Sequence, residues 1–334
     1  MAEFLEVSNQ ELISATPLVS VLMLAYNHQD YISQAIESIV AQQCNFEFEL
    51  IIGEDASTDD TLMIIFNYQK KYPGIIRVVY AENNVGMNAN SKRILGVARG
   101  KYLAYCEGDD YWCYKNKLQK QVELIEQDAE VAAVHTDWVR SRKLHGSWVV
   151  DWSSYIHKRI NPKLLSGDLF AFFYVPKIMR TCTLMIRKEF ADNVEQSILR
   201  SKNYKFGDTI YTAFITSQAK VAYLPEITAV YRLSPNSALR SGIRSRIDFL
   251  LSSLEFDSAA RKYFGPRSDY PMEYRWELCI GIILWSIRIC DFQSIKMAIS
   301  DLKANFTIFE FFIAGWRSLL IRLPVRIPNE RRLS

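Results

Sequence analysis

The chain has 334 residues, enough for one large domain or a core domain with an appendage. At 49% hydrophobic and 23% charged residues, with a formal net charge of +3, it reads as an ordinary globular protein. No Lys/Arg-rich strip interleaved with aromatics occurs across residues 1–200, which argues against a nucleic-acid partner. Residues 1–16 are polar and acidic and read as a loose arm. Pro17 then opens Leu18–Leu24, a short β-branched apolar run of the kind that forms a buried parallel strand. It stops at Ala25-Tyr26-Asn27-His28, and Ile32, Ala35, Ile36, Ile39 and Val40 follow at helical spacing over 31–42. Phe46–Ile52 is a second strand that ends in Gly53-Glu54-Asp55. Ser57, Thr58 and Asp59 supply caps for the next helix, which Tyr72-Pro73-Gly74 breaks. A third strand covers 75–80, Asn83–Gly86 signals a turn, and a helix runs from about Asn88 to Ala98, closed by Gly100.

The next strand, 101–106, runs into Glu107-Gly108-Asp109-Asp110-Tyr111-Trp112. Three carboxylates within four residues repel one another and lose hydration at a strand end, and a cation held by oxygen ligands relieves both costs. Gly108 lets the backbone turn tightly and approach a ligand. Taken alone, such a stretch is as readily a solvated acidic turn.

Further along, helices are expected over 115–127, 188–199 and 209–217, and strands over 131–135, 181–186, 221–224 and 227–233. Residues 140–165 read as an edge hairpin or an acceptor-side loop, and the aromatic stretch 169–175 as a cap over a site. From Ala238 the pattern turns helical, over 240–264, 272–304 and 306–323. The expected division is therefore an arm (1–16), a main domain (17–236) and a helical region (237–334). The last helix gathers Phe306, Phe309, Phe312, Trp316 and Leu320 on one apolar face, and residues 317–334 carry five arginines against one glutamate. That combination suits peripheral contact of 306–334 with an anionic membrane surface, although core packing or an oligomer contact would use the same face.

Strand and helix alternate at the spacing of right-handed βαβ units, which implies a parallel sheet whose ligands bind at the carboxyl ends of strands. The polar clusters at Asn27, Glu54-Asp55 and Glu107–Asp110 all fall at such ends. The first strand-to-helix turn has no G-x-G-x-x-G, so a dinucleotide fold is not expected. Six cysteines show neither a CxxC pair nor zinc spacing and read as reduced and structural. Residues 1–10 lack a basic and an apolar signal-peptide region, and no apolar run reaches the ~18 residues of a membrane span. A cytoplasmic location is the resulting expectation.

Four stretches stand in a fixed order: Val19–His28, Ile51–Thr61, Gly100–Trp112, and Gly207-Asp208 followed by Tyr223-Leu224-Pro225-Glu226 and Tyr231-Arg232. Together they resemble the inverting family 2 glycosyltransferases of the bacterial surface-polysaccharide type, which have the α/β GT-A fold. The resemblance covers residues 17–236 and leaves the helical appendage outside it. It implies a nucleotide-sugar donor, usually a UDP-sugar, a glycan or lipid-linked glycan acceptor, and a divalent metal, Mn²⁺ or Mg²⁺. By the same resemblance Ala25, Tyr26 and Asn27 meet the base and ribose, and Asp55 binds the base. Glu107-Gly108-Asp109 occupies the Asp-x-Asp position, with Asp109 as the main metal contact and Glu107 facing ribose or metal. Lys92 or Arg93 stands near the place of a diphosphate-binding arginine. Tyr111, Trp112 and Asp110 fall on the acceptor side, and Asp208 matches the catalytic base.

The implied chemistry is coherent with the residue types. A cation neutralises the charge gained by a diphosphate leaving group, and a carboxylate takes the proton of an attacking hydroxyl. Asp208 follows a glycine at a helix start, where the dipole favours a carboxylate. One departure is Ser234, which stands where many relatives carry a metal-binding histidine, so the metal is expected to be held more weakly or with added water. Ser234 and Ser91 keep a degenerate, transferase-like binding module as the alternative, whereas a sugar nucleotidyltransferase would need a Gly-rich loop after the first strand. His135 at a strand end reads as a structural residue rather than an acceptor contact, and His28 as a turn residue.

Overall fold

The computed structural model describes residues 4–155, 160, 165–174, 178–234, 242–267, 270 and 272–306. The first half alternates as expected: β1 (Leu5–Val7), β2 (Val19–Ala25), α1 (Ile32–Val40), β3 (Phe48–Glu54), α2 (Thr61–Lys71), β4 (Ile76–Tyr80), α3 (Met87–Val97) and β5 (Tyr102–Tyr105). There follow β6 (Tyr111–Trp112), α4 (Lys117–Glu126), β7 (Val131–Leu144), β8 (Ser147–Asp151), β9 (Met185–Arg187), α5 (Lys188–Gln196), α6 (Asp208–Gln218) and β10 (Lys220–Arg232). Three helices close the described chain: α7 (Ile243–Phe264), α8 (Glu273–Ile287) and α9 (Phe292–Asn305).

The strands form one sheet in the order β1-β4-β3-β2-β5-β9-β7-β10-β6, with β8 hairpinned onto β7. The β4-β3-β2-β5 portion is parallel, as βαβ units require, and so is the β7–β10 pair. Between them β9 runs antiparallel to both β5 and β7, so the sheet is mixed rather than wholly parallel. The apolar runs of β2 and β3 follow from burial on both faces. Val19, Val21 and Met23 pack with Ile36 and Ile39 on one face, while Leu22 meets Ile51, Ile94 and Leu103 on the other.

Several expectations change. The N-terminal arm is not loose: β1 pairs antiparallel with β4, Leu5 opposite Tyr80, and Glu6 meets Arg77 at 2.9 Å. The two late strands, 221–224 and 227–233, are one irregular strand, β10, whose register shifts between Leu224 and Ile227. The expected helix 272–304 is two helices, because Cys290 takes a left-handed φ of 55° and Asp291 caps α9 by accepting from Ser294 N–H at 3.1 Å. Residues 140–151 do form an edge hairpin, turning at His145-Gly146 with φ of 48° and 87°.

The aromatic stretch at 169 contributes to a core. Phe170 and Phe173 are buried with Tyr204, Phe206, Phe214, Phe256 and Tyr270, because α6 and α7 offer them a continuous apolar surface. The helical region is thereby packed onto the domain, and Trp276, Cys279, Ile282, Ala298 and Leu302 knit its own helices together. No helix among the described residues is long and apolar enough to cross a membrane. Residues 307–334, on which the membrane-surface expectation falls, lie outside the described residues.

Candidate active site

The loops that follow β2 and β3 are tied directly to each other. Asn27 takes a left-handed φ of 54°, which lets its N–H donate to Ser57 Oγ at 2.9 Å while its Oδ1 accepts from Thr58 N–H at 2.8 Å. His28 N–H donates to Thr61 Oγ1 at 2.7 Å. Glu54 is fully buried and accepts from Ala56 and Ser57 N–H at 3.0 and 2.7 Å, closing the turn after β3. Ala25 is buried beneath this loop pair, whereas Tyr26 and Asn27 are exposed on it.

Asp55 is buried and engaged within the protein on both oxygens. Oδ1 accepts from Val85 N–H at 2.9 Å and Arg93 Nη2 at 3.0 Å, and Oδ2 from Gly86 N–H at 2.9 Å. It therefore fixes the turn that enters α3. Lys92, expected near the diphosphate, is exposed on the outer side of α3, and it is Arg93 that turns inward. Asn90, Arg93 and Ile94 share the buried stripe of that helix, so the adjacent position 92 must face away.

The acidic turn is built against β2. Gly108 N–H donates to Leu24 O at 2.9 Å, and a Cβ at position 108 would lie 2.7 Å from His28 Nδ1 and 3.1 Å from Leu24 O. Close approach to His28 and β2 by itself demands a glycine at this position. Asp110 N–H donates to Glu107 O at 3.0 Å and closes the turn.

Asp110 and Trp112, expected on the acceptor side, lie inside the fold instead. Asp110 accepts from Arg232 N–H at 2.8 Å, and its carboxyl is pushed well up by burial and then by Asp109 and Glu107. Trp112 is buried, and its Nε1–H donates to Cys182 O at 2.9 Å. The reason is β6, whose Trp112 pairs opposite Ala229 of β10 and turns the chain into the core. Tyr111 stays half-buried, with the Arg232 guanidinium 4.7 Å from its ring centroid.

Glu107 and Asp109 remain partly exposed on the turn. Burial pushes the Glu107 carboxyl up to about 7, Asp109 and then Asp208 push in the same direction, and Arg180 opposes them. Asp208 opens α6, where its Oδ1 accepts from Thr209 N–H at 2.7 Å. The charges of Asp109, Asp208 and Arg180 are all felt at Glu107, so groups far apart in sequence share one neighbourhood. His135 is buried with Nε2 2.6 Å from Leu165 O, consistent with a structural role. Ser234 is buried just beyond β10.

Two residues here carried no role in the sequence reading. Arg232 was visible only as part of the Tyr231-Arg232 stretch, yet its guanidinium donates to Asp109 O at 2.8 Å and to Gln34. Arg180 precedes an expected strand and belongs to no motif, so no local signal marks it.

A divalent cation is the group that the fold implies. Among the described residues, no three His, Cys, Asp or Glu side chains are grouped to hold a metal. Glu107 and Asp109, both partly exposed on the same turn, nevertheless offer the carboxylate oxygens that a hard divalent cation takes.

The sequence profile described as glycosyl transferase family 2 matches residues 20–191. The chain belongs to that family. The matched span runs from β2 through β9 and holds the loops after β2, β3 and β5, whereas Asp208 and Ser234 lie beyond it. Similar sequences include an uncharacterized protein of Mycobacterium tuberculosis, 44% identical over 112 residues, which are 34% of this chain and 32% of that protein. The putative teichuronic acid biosynthesis glycosyltransferase TuaG of Bacillus subtilis is 40% identical over 109 residues, 33% of this chain and 42% of TuaG. The UDP-Glc:alpha-D-GlcNAc-diphosphoundecaprenol beta-1,3-glucosyltransferase WfaP of Escherichia coli is 34% identical over 113 residues, 33% of this chain and 42% of WfaP. The chain thus spans about a third of the length of the mycobacterial relatives it matches.

Among solved structures, TarS 1-349 of S. aureus in complex with UDP superposes with a TM-score of 0.52 at 16% identity, over 87% of this chain and 76% of that one. The mannosyltransferase PcManGT of Pyrobaculum calidifontis, in complex with GDP-Man and Mn²⁺, gives 0.52 at 16% identity, over 96% and 85%. At such identity these likenesses establish the fold, which is GT-A.

Proposed function

We propose that this family 2 member transfers a sugar from a nucleotide-diphosphate donor, a UDP-sugar, to an acceptor hydroxyl with inversion, in the assembly of a surface polysaccharide. The observation that carries the reading is the family 2 match over residues 20–191, which contains the acidic Glu107–Asp109 turn at the end of β5. Support for the donor comes from the UDP bound to TarS, and for the pathway class from the names of TuaG and WfaP. WfaP also favours a lipid-linked glycan as acceptor.

In this reading Tyr26 and Asn27 receive the nucleoside, on the loop that Asn27 braces against Ser57 and Thr58. Glu107 and Asp109 would hold Mn²⁺ or Mg²⁺, which when bound supplies the positive charge that a departing diphosphate needs. Asp208 takes the proton of the acceptor hydroxyl as it attacks, a contribution of about 10²–10⁴ in rate. It stands in the first turn of α6, with its Oδ1 accepting from Thr209 N–H at 2.7 Å.

The test is a screen of nucleotide sugars for slow hydrolysis with Mn²⁺, repeated on Asp208→Asn. Turnover of a UDP-sugar by the parent chain and its loss in a folded Asp208→Asn variant are expected. Near-normal turnover in that variant would remove Asp208 as the base.

A further inference from the structure

Arg180 differs from the other arginines packed into the domain. Arg77 is paired with Glu6 and Glu49, Arg93 with Asp55, and Arg200 with Glu195. Arg187 donates to the carbonyls of Val131 and Ile125. Among the described residues the Arg180 side chain makes no direct ion pair and has no hydrogen-bond acceptor, although the Glu107 carboxyl feels its charge. Its guanidinium lies against aromatic rings instead, 4.3 Å from the Tyr231 centroid and 5.0 Å from that of Trp138.

That platform is rigid and tied to the acidic turn. Trp138 is wholly buried and meets Tyr231 edge-on at 5.8 Å. Tyr231 precedes Arg232, whose N–H is bound by Asp110. Two residues beyond Arg180, Cys182 O receives the indole N–H of Trp112. Thr183 donates to Arg180 O from both N–H and Oγ1, at 2.8 and 2.7 Å, and so fixes the backbone that presents the side chain. A stacked guanidinium keeps its in-plane N–H fork available, and that fork matches the oxygens of a phosphate. An unpaired cation held this firmly loses little conformational entropy when an oxyanion arrives, so binding retains most of the charge-assisted hydrogen-bond energy.

We infer that Arg180 binds a phosphate-type oxyanion of the substrate assembled beside the Glu107–Asp109 turn, supplied by the donor diphosphate or by a phosphate on the acceptor. The word substrate rests on the glycosyl-transfer reading above, whereas the oxyanion site rests on Arg180 and its platform.

Calorimetry on the full chain separates these possibilities, using the parent protein, Arg180→Ala and Arg180→Lys. Three titrants are used: inorganic pyrophosphate without added metal, and UDP and GDP, each with Mn²⁺. Arg180→Ala is expected to weaken pyrophosphate binding about ten- to hundredfold, as loss of charge-assisted hydrogen bonds implies, and Arg180→Lys to restore part of it. An equal loss for UDP assigns the site to the donor, and unchanged UDP binding assigns it to the acceptor. Pyrophosphate binding that is absent from the parent, or equal in parent and Arg180→Ala, overturns the inference. Should the alanine variant fail to melt cooperatively, Arg180→Gln replaces it under the same criteria. A parent chain that binds pyrophosphate through Arg180 but neither UDP nor GDP with Mn²⁺ defeats the transfer reading and leaves the oxyanion site standing.

Discussion

At the scale of single residues, Lys117 shows how the acidic turn is supported from below. It is wholly buried, its ammonium lies 4.5 Å from the Trp112 ring centroid, and it reaches Gln121 and Thr183 O. Burial lowers it from the ordinary 10.5 to about 7. The unfolded chain therefore holds a proton that the folded chain releases across the window from about 7 to 10.5. This contribution to stability is largest above that window, falls as pH drops through it, and is level below about 7. Replacing the lysine by methionine removes this dependence while filling a similar volume. The stability of the parent chain relative to Lys117→Met should thus rise between pH 7 and pH 10, as read by urea denaturation at each pH. A difference that stays flat would show that the ammonium is solvated in the fold. No sequence pattern exposes this group, because a lysine at a helix start reads as solvent-facing. The acidic cluster was legible because Glu107, Asp109 and Asp110 are adjacent in sequence. Which of them faces solvent was not, since that is set by Arg232 and Ala229 of a strand more than a hundred residues away.

At the scale of elements, the sheet was legible wherever an apolar run is longer than the turns around it. β2, β3, β4 and β5 all fall within a few residues of the expected strands. β1 and β6 were missed because they are three and two residues long and carry no apolar period; their partner strands define them. For β1 the defining contact is ionic. Arg77 on β4 bridges Glu6 and Glu49, at 2.9 and 2.7 Å, and also donates to Val97 O at 2.8 Å. Glu49 is buried and in turn holds Ser20 Oγ and Arg99 N–H. Removing the cation strands the Glu49 charge inside the sheet, so Arg77→Ala is expected to cost about 3–5 kcal/mol. Glu6→Gln leaves Glu49 paired and should cost only about 1 kcal/mol. Chemical denaturation of the two variants checks the ranking. Equal costs would mean that β1, rather than the buried pair, carries the stability of this edge.

At the scale of the whole molecule, the two halves of the site rest on different cores. Glu107 and Asp109 follow β5, whose Tyr102 and Ala104 belong to the cluster between the sheet and α1, α2 and α4. Asp208 begins α6, whose Ile210, Ala213 and Phe214 belong to an aromatic cluster completed by Phe256 of α7. Phe256 is wholly buried, with ring centroids of Tyr204 and Phe206 at 5.3 and 5.5 Å. The helical region, read from sequence as an appendage, therefore supports the candidate base. Phe256→Ala should destabilise the protein by about 3–5 kcal/mol through loss of transfer energy and the cavity left behind. Relaxation of that cavity moves α6 and with it Asp208, and misplacement of about 1 Å can cost ~10²-fold in rate. The donor loops after β2 and β5 have no part in this cluster. At a temperature where the variant is folded, sugar transfer or donor hydrolysis should fall while the affinity for UDP with Mn²⁺ stays near that of the parent. A parallel loss of affinity and turnover would instead show that α7 organises the whole site, because the two cores would then be responding as one.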